Sequence, residues 1–404
     1  MPATTEYQGS FLGRISIRRN QVMNMDGNHD QELEDIELFQ RHISDRFADL
    51  LSSSQQQQPS SSEEASTPAA AVDPFLSINW LRKLLDVFLC CEAEFKALLI
   101  MGRDPSQISK PPLDRLIPEM LDRAVKALDI CNAVTNGIET VRHCQNLAEI
   151  AVTALEQKPF GDGQVNRAKK ALSSLMMEMT GEDKEGGSYA RTWSFGRRGS
   201  AAAASTKDRG HLHLRSHTWS VSNNWSAAKQ IQAMTANLQA PRGNDASGLA
   251  SPVFIMSTVV VFLTWTMVAA IPCQERNGLA THFPVPKQLV WAQSMIALHE
   301  KIGEEWKKKE KKGSVGLLDE MQRLEKSAHS LIEFADNFQF PAEEERVEEV
   351  AAQVAEVADT CRKMAEGLVP LQLQIREVFH RIVRSRTEIL DVLESTGKVS
   401  APIV

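Results

Sequence analysis

The sequence predicts an all-α fold, an elongated multi-helix bundle with disordered N-terminal and central linkers. Three observations carry that expectation. Apolar residues recur at helical spacing in every periodic segment, and none alternates cleanly as a strand would. The chain is rich in Ala, Leu, Glu, Gln, Met and Lys, while only 2 Tyr accompany its 15 Phe and 7 Trp, so helix formers outweigh strand formers. Short Pro- and Gly-marked breaks separate the periodic segments, the pattern of helices that pack as antiparallel neighbours. At 404 residues and 42% apolar, the chain can bury sizeable cores.

Residues 1–30 read as a flexible basic arm containing Arg14, Arg18 and Arg19. Residues 31–51 read as an amphipathic helix, with Leu33, Ile36, Phe39, Ile43, Phe47 and Leu50 at helical spacing. The run SSSQQQQPSSSEEASTPAAA within 52–73 is a low-complexity linker with too little apolar surface to order itself. An N-terminal helical unit follows over 74–180. Asp73-Pro74 reads as its cap and first helical residue, and Phe75 to Met101 is apolar nearly all round, which calls for a core position. After the breaks at Asp104-Pro105 and Pro111-Pro112, a long helix is expected from about Pro118 to Gln157. Its Val134, Val141, Ala148 and Leu155 stand seven apart, a bundle stripe. One more helix, from about Gly163, carries Val165, Leu172, Leu175 and Met179.

Residues 181–222 mix Gly, Ser, Arg and His without apolar period and read as a basic Ser-rich linker. A C-terminal helical unit is expected over 223–404, opening with a short amphipathic helix in NNWSAAKQIQAMTANLQ. Its apolar segment 253–271, from Val253 to Ile271, holds no charge, and its 19 residues match the thickness of a bilayer core. That length suits either a transmembrane helix or a buried central helix. Ser257, Thr258, Thr264 and Thr266 dilute the apolarity, and the flanking Lys and Arg set no orientation, so the core reading is preferred. Four amphipathic helices complete the chain, from Trp291 to Trp306, from Leu317 to Phe338, from Val347 to Met364 after Pro341, and from Ile375 to Leu393 after Pro370.

Composition excludes several function classes. A net charge of −7 argues against a nucleic-acid partner, because phosphate binding needs a basic surface. The six cysteines form no CxxC pair, and Cys90 and Cys91 are adjacent, which suits neither a zinc site nor a disulfide framework. The N-terminus lacks the apolar core of a signal peptide, so a cytoplasmic place or the cytosolic face of membranes is expected, with a single-pass membrane protein as the alternative. Phosphate-loop, dinucleotide-binding, zincin and nucleophile-elbow motifs are all missing, and the acidic residues fall on polar helix faces. His211, His213 and His217 have no Cys or carboxylate at ligand spacing and read as linker filler. The expectation is a non-enzyme with no catalytic residue, metal or cofactor. Ser194, Ser200 and Ser216 follow Arg closely in the basic linker, where a protein kinase could grip an extended chain, and are candidate phosphorylation sites. Cys273, at the edge of the apolar segment, is the candidate S-acylation site should that segment meet lipid.

Three stretches carry a resemblance: FLGRISIRRNQV (Phe11–Val22), SHTWSVSNNWSAAKQIQAMTANLQAPRG (Ser216–Gly243), and the apolar segment onward through Val285-Pro286. They resemble the plant Roh/BYPASS-type proteins, the Roh branch more closely, and the block from Trp219 through Trp225 to Lys229 is the most specific part. The resemblance implies a plant protein without catalytic activity and with a role in growth and secretion. Roh-type relatives imply exocyst subunits as partners and an adaptor or regulator of exocytosis. BYPASS-type relatives imply the alternative, a membrane-anchored regulator limiting a mobile growth-arresting signal. No catalytic or binding residue carries over.

Overall fold

The computed structural model describes residues 25–54, 73–100, 105–157, 161–180, 225–243, 248–273, 279, 282–310, 316–338 and 344–399. Among them are nine α-helices and no strand, so the chain is an all-α, multi-helix bundle. Most of the arm 1–30 and the expected linkers 52–73 and 181–222 lie outside the described residues, and with them Ser194, Ser200 and Ser216.

Helix α1 spans Met25–Ser53, starting earlier than the expected 31, and buries Ile36, Phe39, Ile43, Phe47 and Leu50. Helix α2 spans Ile78–Ile100 and runs antiparallel to α1: the Trp80 indole N–H donates to the Leu50 carbonyl at one end, and Arg46 pairs with Glu94 at the other. Its cap is not Asp73-Pro74. Leu76 takes a left-handed φ of 59°, the helix begins two residues later, and Ser77 Oγ accepts the Trp80 backbone N–H at 3.2 Å. Asp73 instead accepts from Asn79 and pairs with Lys83.

Helix α3 runs over Leu113–Leu155, taking in Pro118 near its start, and folds back through α4, Asp162–Thr180. Helix α5, Ala227–Ala236, tucks its Ile231 and Met234 against α3 and α6. Helix α6, Ala250–Ala270, is the central pillar. All of its residues are buried, among α1, α2, α3, α5 and α7. A helix apolar all round has no solvent side, and this one is given none. Two of its hydroxyls donate into the helix itself, Thr258 to the Phe254 carbonyl and Thr264 to that of Val260, while Ser251 Oγ accepts from Gln40 of α1 at 3.1 Å.

Helices α7 (Gln293–Glu310) and α8 (Asp319–Asp336) precede α9, Glu344–Val399. The last corrects the sequence reading. Two helices meeting at Pro370 were expected, yet one 56-residue helix passes through it, about 84 Å at 1.5 Å per residue. Pro370 costs one intrahelical bond and about 3 kcal/mol. On either side of it Leu368, Leu371 and Ile375 are buried together with the α2 and α3 cores, and that packing outweighs the loss. Gly367 makes the approach to α2 close enough: a Cβ there would stand 2.7 Å from Ile78 Cγ2. Helix α9 is parallel to α2, through Arg82–Gln374, Glu92–Arg381 and Lys96–Glu388. It is antiparallel to α3, through Gln145–Cys361 and Glu139–Gln372. The stretches 74–180 and 223–404 therefore share one core, with α6 and α9 from the second packed on α2 and α3 from the first.

Candidate functional site

Inside the bundle several polar groups act as structural ties. Glu94 is fully buried and receives two bonds from the Arg46 guanidinium, at 2.5 and 3.3 Å, with His42 at 3.1 Å. The pair clamps α1 to α2. His299 is stacked between Trp265 and Phe283, with ring centroids 3.9 and 4.7 Å away, and burial pushes its pKa down to about 4. A neutral ring in an aromatic sandwich is a packing element. Burial raises the thiols of Cys91, Cys131, Cys144 and Cys361 to about 12, so they stay protonated near neutral pH. No group of His, Cys, Asp or Glu able to hold a metal occurs among the described residues.

One tie crosses most of the chain. The N–H groups of Leu317 and Leu318 donate to the carbonyls of Ala269 and Ala270, which the last turn of α6 leaves open, and Asp319 N–H donates to Leu76. Immediately after, the Glu320 carboxylate accepts the Ile78 N–H with both oxygens, at 3.1 and 3.2 Å, capping α2 from 242 residues away. Glu320 is 8% exposed, and burial pushes its pKa up to about 7.

The apolar segment from Val253 to Ile271 stands as α6 and its C-cap, fully buried in protein. By length and composition α6 is the one helix among the described residues able to cross a membrane. Cys273 lies two residues beyond Ile271 and is also buried.

The outward face of α9 differs from the interior. Arg362, Glu366, Val369, Leu373, Arg376, His380, Val383 and Thr387 stand four and three residues apart along it, all of them exposed. Val369 and Leu373, a helical turn apart on either side of Pro370, are 53% and 57% exposed. Sequence reading traced the buried stripe of this helix and passed over this pair. The signal was available, since both residues fall off the stripe of Leu368, Leu371, Ile375 and Val378. Glu320 offered none, because an acid in a first turn looks like ordinary dipole compensation.

The comparisons with known proteins agree with one another. The ROH1-like family, described as Protein ROH1-like, matches residues 1–393. The chain is 63% identical to Protein ROH1A of Arabidopsis thaliana over 418 residues, covering all of both chains. It is 41% identical to Protein ROH1D of the same plant, over 97% of this chain and 98% of the relative. No solved structure matches. With the family model matched over nearly the whole chain and a relative 63% identical over its full length, the chain belongs to the ROH1-like family.

Proposed function

We propose that this chain is a non-enzymatic adaptor or regulator in plant exocytosis that offers a helical surface to exocyst-type subunits. The observation that carries the proposal is the outer face of α9, where Val369 and Leu373 expose apolar side chains between Arg362, Glu366 and Arg376. A helix with a few apolar anchors on a charged face suits side-by-side docking on another helix, with the anchors supplying affinity and the charges register. The family resemblance supplies the partner class. Purified full-length protein should bind at least one exocyst subunit in a titration. The double variant Val369→Asp, Leu373→Asp should weaken that binding at least tenfold with its circular dichroism unchanged. Unchanged affinity would remove this face from the interface.

One observation favours a second reading. Helix α6 is long and apolar enough to cross a bilayer, as the membrane-anchored alternative requires. That reading asks α6 to exchange five protein neighbours for lipid. Carbonate extraction of plant membranes separates the two: release of the protein supports the adaptor, and retention supports the anchor.

A further inference from the structure

Along the outer face of α9 the side chains are arranged about a centre. Val369 and Leu373 stand two residues to either side of Leu371, Glu366 and Arg376 five, and Arg362 and His380 nine. Leu371 itself is buried and marks only the height of that centre, whereas the other six are all exposed. Steps of four and three residues join them in turn, the spacing of a seam that a second helix covers. From Arg362 to His380 the seam is about 27 Å long at 1.5 Å per residue.

Two copies of one helix, laid antiparallel across a two-fold axis, set each residue before the centre against its mirror position after it. Here each central position meets a complement, and meets it twice. Val369 faces Leu373 of the second copy, and Glu366 faces Arg376 of the second copy. A parallel pair in register would set Glu366 on Glu366 and Arg376 on Arg376, so the charges select the antiparallel sense. Arg362 faces His380 at the two ends, and stays held by Asp359 and Glu366 of its own helix. The central charges are also available. Arg362, Arg381 and Arg384 each pair with an acid on their own helix. Arg376 has no ion-pair or hydrogen-bond partner among the described residues, and no acid stands three or four residues from it. Glu366 receives Arg362 on Oε1 alone, at 2.9 Å, which leaves Oε2 open.

We propose that the chain associates with a second copy of itself through this face of α9, antiparallel about the height of Leu371. Val369 and Leu373 form the middle of the contact, with Glu366 and Arg376 on either side. The proposal rests on the reading of this face as a docking surface and makes the second copy its resting cover, which a partner subunit has to displace. A single helix pair of this length lies at the small end of protein interfaces, so the dimer forms only at roughly 10–100 μM.

Sedimentation equilibrium of the purified full-length chain, with no other protein present, tests this. Wild type should pass from monomer to dimer as its concentration rises through that range. Glu366→Arg and Arg376→Glu each put two like-charged pairs into the seam, and each should weaken association at least tenfold. An equimolar mixture of the two variants should associate like wild type, because every Arg then faces a Glu. One chain carrying both changes should do the same. All the changes are on exposed side chains, and circular dichroism should show each variant folded. The exocyst-subunit titration, run at about 1 μM where the chain is monomeric, reports partner binding separately, so failure of one reading is distinct from failure of the other. The proposal fails if wild type stays monomeric up to about 300 μM, if either single reversal leaves association unchanged, or if mixing the two does not restore it.

Discussion

Glu320 shows what one residue can do far from its own place in the chain. Its carboxylate closes the N-terminus of α2, but the closure sits where a charge is poorly solvated, so the proton is held up to about pH 7 rather than the ordinary 4.5. Between those values the folded chain binds a proton that the unfolded chain has lost. Glu320 therefore favours folding most below pH 4.5, and that contribution is lost as pH rises through about 7. At full size the loss is roughly 3 kcal/mol. His299 works in the opposite sense, because its folded pKa near 4 lies below the ordinary 6.5, so it adds stability as pH rises across that interval. The difference between wild type and Glu320→Gln isolates the carboxyl. Urea unfolding at pH 5 and pH 8 should show the wild type losing stability relative to the variant by a few kcal/mol at the higher pH. Parallel pH profiles would mean the carboxyl titrates normally and the cap is charged throughout.

The helices divide into those readable from their own residues and those whose limits depend on others. The stripe of α1 and the uniform apolarity of α6 name their buried faces directly. The start of α2 was misread, because Asp73-Pro74 satisfies local capping rules while Ser77 and Glu320 satisfy the actual N–H groups. The unbroken run of α9 was misread for a related reason. Proline is a strong local breaker, and only the packing of Leu368, Leu371 and Ile375 against other helices overrides it. Pro370→Ala restores the missing intrahelical donor without disturbing that packing, so it should raise stability by about 1–3 kcal/mol in urea unfolding. A destabilised variant would show that the proline shapes the helix for its neighbours.

At the scale of the molecule, the shared core makes a definite claim about the two stretches on either side of 181–222. Helices α6 and α9 supply much of the surface against which α2 and α3 are buried. A specific protease site inserted near residue 200, once cut, should leave two pieces that elute together at the size of the intact chain and unfold in one transition. Separation of the pieces without denaturant would show that each stretch holds its own core. The same shared core explains why α6 could be read two ways. Its 21 residues suit a bilayer by composition, and the five helices around it supply an apolar surrounding of the same kind.

Taken alone, the sequence determined the all-α class, the apolar stripes of most helices, the central place open to Val253–Ile271 and the Roh-type family resemblance. Each of these rests on periodicity, composition or likeness along the chain, and helical hydrogen bonding is local enough for such signals to suffice. The tertiary structure decided that the helix continues through Pro370, that Glu320 caps Ile78, and that Glu92 of α2 lies against Arg381 of α9. Those outcomes depend on contacts between residues hundreds of positions apart. Whether a proline bond is worth losing, or a carboxylate worth burying, is settled by packing energies that no local window contains.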